Sequence, residues 1–205
     1  MTEVKEKKVE DIKKEADEIK CPVSRALYYV DEFLAGPMCG RCFPCSMGTY
    51  EARERLKNIV SARGTEADIV SLRRISADML EMSMCKKGKD TAKFVMDWLD
   101  AVEADGANVY MEHISGKCRW VECKAFIEYR IIPEKCILCG LCQEACKYNA
   151  IIGKKKTPYI SGYKPFEIRQ KRCVKCGDCL KVCPVEAVEI VNATAGSALP
   201  VTAAK

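Results

Sequence analysis

One histidine, His113, stands in the whole chain, and no catalytic dyad can be assembled around it. No G-x-G-x-x-G follows a strand-like run and no glycine-rich phosphate cradle appears, so no FMN, FAD or NAD site is expected on this chain. No uninterrupted apolar stretch approaches the roughly 18 residues that a membrane helix needs. Met1-Thr2-Glu3-Val4-Lys5 carries no apolar signal core. The expectation is a cytoplasmic chain with no membrane span and no two-electron chemistry of its own.

Cysteine is what the chain has in abundance, with 15 copies. Eight of them form two runs, Cys136-x2-Cys139-x2-Cys142-x3-Cys146 and Cys173-x2-Cys176-x2-Cys179-x3-Cys183-Pro184. Three thiolates in one tight loop, completed by a fourth from elsewhere, suit a cubane of four irons and four sulfides. Zinc ribbons also use C-x2-C, but zinc takes only four ligands and spaces them as two separated pairs. Disulfides are set aside because cluster-type spacing without a signal peptide reads as metal binding in a reducing compartment.

The duplicated run, from residue 131 to 191, resembles the bacterial two-cluster ferredoxins. That resemblance implies crossed ligation, with Cys136, Cys139, Cys142 and Cys183 on one cluster and Cys173, Cys176, Cys179 and Cys146 on the other. Gly140 and Gly177 stand between the second and third ligands, where a missing side chain lets backbone amides approach the sulfides. Pro184 follows the last cysteine as in that family, whereas Lys147 takes the place of the corresponding proline in the first run.

Upstream, Met38-Cys39-Gly40-Arg41-Cys42-Phe43-Pro44-Cys45-Ser46-Met47-Gly48-Thr49 repeats the C-x2-C-x2-C spacing, with Cys85 about forty residues on. This resembles the C-terminal iron-sulfur domain of the NADH-binding flavoprotein subunit of respiratory complex I and of electron-bifurcating hydrogenases. The resemblance implies a third 4Fe-4S cluster on Cys39, Cys42, Cys45 and Cys85. Ser46 stands where that family has arginine. The large flavin and nicotinamide domain of those subunits has no counterpart in the 38 residues before Cys39.

Cys21, Cys118 and Cys123 remain, beside His113. The hydrogenase-type subunits carry a similar His and Cys pair before their ferredoxin domain and a cysteine in a stretch like Cys21-Pro22-Val23. The spacing His113-x4-Cys118-x4-Cys123 is loose for a zinc knuckle and leaves two readings. Three thiolates and an imidazole make a closed, redox-silent zinc site; alternatively these are small buried residues of a core.

The formal net charge of +5 counts every cysteine as a neutral thiol. With twelve thiolates on three oxidised clusters and a three-thiolate zinc, the loaded chain falls to about −2. Lys154-Lys155-Lys156, near Tyr159 and Tyr163, reads as a solvated hairpin tip or a docking surface and not as a nucleic-acid patch.

The expected architecture is α+β: a small helical bundle with a cluster-binding loop, followed by a ferredoxin-like two-cluster domain. Residues 1–35 read as an N-terminal helical segment, with seven acids and six lysines in the first twenty. Residues 36–106 read as the bundle, with helices at about 47–62, from Thr65 through Ile69, Leu72, Ile75, Met79 and Met82, and at about 90–104 after Gly88. Residues 107–130 read as a connector, 131–191 as the two-cluster domain, and 192–205 as a disordered or partner-wrapping tail.

The sum is a non-catalytic electron-transfer subunit, linked to NADH and ferredoxin and by resemblance to electron bifurcation. Its implied partners are a flavin- and NADH-binding subunit and a catalytic metalloenzyme subunit, with ferredoxin as a further one and no nucleic acid. The rival readings are a free-standing diffusible polyferredoxin and an interaction protein held together by zinc alone.

Overall fold

The computed structural model describes residues 7–99, 108–157, 162 and 164–193. Helix α1 (Val9–Asp17) turns its apolar positions Ile12 and Ala16 inward, and it lies on the domain behind it, beside Tyr29 and Phe94. Those two rings stack with centroids 4.2 Å apart. Helix α2 (Pro22–Ala35) starts with proline in its first turn, where the missing N–H costs nothing, and has Cys21 as its N-cap.

Helix α3 (Phe43–Val60) begins inside the cysteine run, four residues earlier than the periodicity predicts, because Pro44 in the first turn pre-sets helical φ there. Helix α4 (Glu66–Met82) opens with the expected capping box: the Asp68 carboxylate accepts from the Thr65 backbone N–H at 2.8 Å. Of its expected core residues, Ile69, Leu72 and Met79 are buried and Ile75 packs against the core, but Met82 points to solvent.

Helix α5 (Lys86–Met96) starts directly after Cys85 and contains Gly88 instead of following it. A side chain at Gly88 would stand 2.9 Å from Ser83 Oγ and 3.1 Å from Cys45 Sγ, so the glycine is there for close approach inside the helix and does not precede it. The part of that expected helix beyond residue 99 lies outside the described residues, as do Tyr159, Tyr163 and residues 194–205 of the expected tail.

The expected connector is the region where structure departs most from sequence. Helix α6 (Val109–Ile114) is capped by the Asn108 side chain, which accepts from the Tyr110 and Met111 backbone N–H groups at 3.0 and 3.2 Å. Val109, Tyr110, Ala125 and Phe126 are buried in the bundle core with Val30, Leu56, Ile59 and Leu72. Strand β1 (Ile127–Ile131) pairs antiparallel with β4 (Val188–Asn192), in the register Ile127 to Asn192 through Ile131 to Val188. Residues of the expected connector thus contribute both to the bundle core and to the strand that pairs with β4.

Strands β2 (Ile151–Ile152) and β3 (Glu167–Ile168) form the second antiparallel pair. Short helices α7 (Leu141–Glu144) and α8 (Asp178–Lys181) follow the two cysteine loops, each with its glycine at φ +82° as N-cap. The half-repeats correspond bond for bond. Arg169 N–H donates to Ala150 O and Ile132 N–H donates to Ala187 O, both at 2.7 Å. Asn149 and Glu186 both adopt left-handed φ, at 48° and 49°. The turn after the first run thus forms with Lys147 as it does with Pro184. Lys154, Lys155 and Lys156 are exposed, and the Lys156 N–H donates to Leu138 O in the first cysteine loop at 3.1 Å.

Candidate cluster and metal sites

The two-cluster domain encloses two apolar cavities. One is lined by Cys136, Cys139, Cys142 and Cys183, with Ile131, Phe166 and Val188 among the walls. The other is lined by Cys146, Cys173, Cys176 and Cys179, with Tyr129, Ile151 and Ile168. Each cavity combines three cysteines of one run with the last cysteine of the other. The crossing sulfurs are anchored alike: Ala187 N–H donates to Cys183 Sγ at 3.2 Å and Ala150 N–H to Cys146 Sγ at 3.4 Å. Burial pushes the Cys142 and Cys179 thiols up to about 11, with the facing sulfurs of their cavities adding to the shift. Such crowding favours a cationic inorganic core that accepts all four thiolates, and the donor sets fit a 4Fe-4S cluster.

The upstream set sits at one end of the bundle. Cys42 is the N-cap of α3, Cys45 lies in its first turn, and Cys85 is the N-cap of α5. A backbone N–H at Met84 lowers the Cys42 thiol pKa, which ties the Cys85 loop to the C-x2-C-x2-C loop. Burial raises Cys45 to about 11, and Cys42, Cys85 and Cys39 add to it as nearby charges. Cys42 and Cys45 are buried with Phe33, while Cys39 and Cys85 face outward. Two helix N-termini point at this set, and their positive ends favour thiolate and cluster charge.

Cys21, His113, Cys118 and Cys123 come together although up to 102 positions separate them. Their ligating atoms all lie within 4.8 Å of one another and all four side chains are buried. Cys21 Sγ is 3.3 Å and Cys123 Sγ 3.4 Å from His113 Nε2. On the other side of the ring, His113 Nδ1 lies 2.9 Å from Val109 O, an arrangement in which Nδ1–H donates and Nε2 keeps its lone pair for the sulfurs.

Burial works to lower the His113 pKa, but the sulfurs of Cys118 and Cys21 outweigh it and push it up to about 10. Hydrogen bonding from Cys123 and Cys21 holds Cys118 far below the usual thiol range, and hydrogen bonding with Cys118 and Cys21 drives Cys123 up. Three thiols this close in a dry core cannot all ionise without a cation between them, and the donor set fits tetrahedral zinc.

Sequence reasoning missed the residues around this group. Ser24 Oγ lies 3.0 Å from Cys123 Sγ, the Cys21 N–H donates to a Glu122 carboxylate oxygen at 2.7 Å, and the Phe126 ring meets His113 edge-on at 5.3 Å. The Cys118 N–H donates to the Asn192 side chain at 3.3 Å, and the Lys175 ammonium to Lys124 O at 2.6 Å. These last two bonds join the four-donor group to β4 and to the Cys173–Cys176 loop. The one sequence signal for Ser24 was its position three residues past Cys21, one turn into α2.

Three cysteine sets on a helical bundle followed by a duplicated ferredoxin-like unit define an iron-sulfur electron-transfer protein of α+β class. Residues 25–108 match the NADH-ubiquinone oxidoreductase-F iron-sulfur binding region and residues 135–187 the 4Fe-4S dicluster domain, so the chain carries both domains in tandem. It is 34% identical over 144 residues to the NADP-reducing hydrogenase subunit HndC of Solidesulfovibrio fructosivorans, covering 70% of this chain and 28% of that one. It is 37% identical over 73 residues to the NADP(+)-dependent formate dehydrogenase subunit beta of Moorella thermoacetica, covering 36% of this chain and 10% of that one. It is 33% identical over 101 residues to the F subunit of the NADH-quinone oxidoreductase of Streptomyces coelicolor, covering 49% of this chain and 21% of that one. The chain thus spans less than a third of the length of these relatives. Among the described residues, no helix is long and apolar enough to cross a membrane.

Proposed function

We propose that this chain is the non-catalytic conductor of a larger cytoplasmic oxidoreductase. It holds three 4Fe-4S clusters: one on Cys39, Cys42, Cys45 and Cys85, one on Cys136, Cys139, Cys142 and Cys183, and one on Cys146, Cys173, Cys176 and Cys179. A structural zinc on Cys21, His113, Cys118 and Cys123 joins the domains. The observation that carries this reading is the pair of cavities, each lined by four cysteines in the crossed combination.

A bound cluster supplies one-electron redox capacity. The protein's own contribution is to place and insulate the sites. Ile131, Phe166 and Val188 on one side, and Tyr129, Ile151 and Ile168 on the other, keep water from the cavity walls. Backbone N–H groups at Ala150 and Ala187 stabilise sulfur charge. The partners in this reading are a flavin- and NADH-binding subunit and a catalytic metalloenzyme subunit, with ferredoxin as a further exchange partner. The relatives' names, an NADP-reducing hydrogenase, an NADP(+)-dependent formate dehydrogenase and an NADH-quinone oxidoreductase, support a nicotinamide-linked complex; the ferredoxin link and electron bifurcation are carried by the sequence resemblance alone.

Native mass measurement on anaerobic extract tests the assembly. The expected result is co-elution with a flavoprotein and a metalloenzyme subunit. A lone 22.9 kDa species would instead make it a diffusible polyferredoxin.

A further inference from the structure

The end of the bundle that carries the first cysteine set has an unusual surface. Phe43 and Met47 are one turn apart on α3 and are 75% and 53% exposed; Met82 and Met84, flanking the end of α4, are 58% and 85% exposed. The Met84 backbone hydrogen bond to Cys42 ties the α4–α5 loop to the start of α3, so both pairs belong to the end of the bundle that carries the cysteine set. Large apolar groups clustered at such exposure mark interaction sites, and methionine and phenylalanine are typical of interface centres. The same two segments carry the outward-facing thiols Cys39 and Cys85.

Basic groups outnumber acids around this centre, although Glu10 shares a groove with Lys86 and Lys87. Arg41, Lys86, Lys87 and Lys89 are all exposed on the two loops and on the first turn of α5. Glu81 is a further exposed acid beside them, and Asp90 is half-buried. The positive ends of α3 and α5 add to the same field. A face with an apolar centre and a basic rim fits a partner with an apolar centre and an acidic rim, which it would also steer during encounter.

We propose that this end of the bundle is the docking face for an acidic electron-transfer protein. Phe43, Met47, Met82 and Met84 form its contact centre, and Arg41, Lys86, Lys87 and Lys89 its steering rim. The proposal rests on the electron-transfer reading and names the surface at which electrons enter or leave the Cys39, Cys42, Cys45 and Cys85 set. None of the eight residues is a cluster ligand in that reading.

The test uses the full, cluster-loaded chain and two probes, an acidic plant-type ferredoxin and the basic protein cytochrome c. The expected result is saturable binding of the ferredoxin that weakens steeply with salt and no comparable binding of cytochrome c. The double variant Lys86→Glu/Lys87→Glu weakens ferredoxin binding about tenfold or more, as removal of steering charge at an interface does. Phe43→Ser/Met84→Ser weakens it by a similar factor without changing its salt dependence. The triple variant Lys154→Glu/Lys155→Glu/Lys156→Glu, on the other domain, leaves it unchanged.

Absence of ferredoxin binding, unchanged binding in both bundle-end variants, or loss confined to the triple variant would overturn the proposal. So would self-association or adhesion to anionic vesicles that the Phe43→Ser/Met84→Ser change abolishes, because a second copy or a lipid surface would then be the occupant. Iron content and the dithionite-reduced spectrum are measured on every sample. A chain without cluster iron would refute the electron-transfer reading itself, whereas loaded chain with unaltered binding refutes only the docking face.

Discussion

Cys183→Ser is expected to cost the chain about four irons and to abolish the paramagnetic signal of the cluster held by the first cysteine run. Although Cys183 belongs to the second run in sequence, its side chain lines the cavity of Cys136, Cys139 and Cys142. The reciprocal variant, Cys146→Ser, should remove the other cluster, since Cys146 lines the cavity of Cys173, Cys176 and Cys179. The two variants therefore exchange the damage that a run-by-run assignment would give. Iron analysis with electron paramagnetic resonance on dithionite-reduced samples reads the outcome. Loss of only the second-run signal in Cys183→Ser would show that the ligands do not cross. The effect should be large because the serine leaves an apolar cavity with three crowded sulfurs and, in place of the fourth thiolate, a neutral hydroxyl that is a poor ligand for iron.

The second large effect is expected at the four-donor group. Cys118→Ala should abolish zinc binding and lower stability by more than about 4 kcal/mol, the range reached when a structural metal is lost. Cys21 enters this group from the N-cap of α2, His113 from α6, and Cys118 and Cys123 from the segment leading into β1. One metal would hold three chain regions that otherwise meet through side-chain packing and hydrogen bonds such as that from the Cys21 N–H to Glu122. Hydrogen exchange should rise in α1 and α2 and at the junction with β4, where the Cys118 N–H meets Asn192. Iron in the two ferredoxin cavities should stay.

The pH dependence has a definite sign. Without metal, His113 is pushed up to about 10 and is protonated at neutral pH, so zinc must displace a proton from it as well as from thiols. Zinc affinity is therefore expected to climb as pH rises and to fall on acidification, which competition with a chromophoric chelator measures. Iron loss with unchanged zinc in Cys118→Ala would mean that these residues ligate iron.

Much of this was legible in the sequence because cluster ligands obey short-range rules. The C-x2-C-x2-C spacing, the glycine before α7 and α8, the Thr65–Asp68 capping box and the periodic Ile69, Leu72 and Met79 are local features, and each appears where the pattern puts it. Boundaries failed where tertiary contact overrides propensity. Gly88 reads as the residue that precedes a helix, yet it is inside α5, where Ser83 and Cys45 press against it. Met82 continues the periodicity of the α4 core, but the helix ends there beside a cysteine loop and leaves it in solvent.

Residues 107–130 were hardest to read. Their apolar residues are frequent but make no long period, and their burial depends on helices that lie up to a hundred positions away. The pairing of β1 with β4 across some sixty residues is likewise invisible to a local window. Proximity of Cys21 to the His113 group could be reached only by resemblance, since no spacing rule joins residues on separate elements.

The central claim is that twelve of the fifteen cysteines carry inorganic iron. Iron, acid-labile sulfide and zinc analysis of anaerobically purified protein, with spectra before and after dithionite, tests it most directly. The account predicts about twelve irons with matching sulfide, about one zinc, a brown colour that bleaches on reduction, and paramagnetic signals from the reduced state. A colourless protein with several zincs and little iron would contradict it.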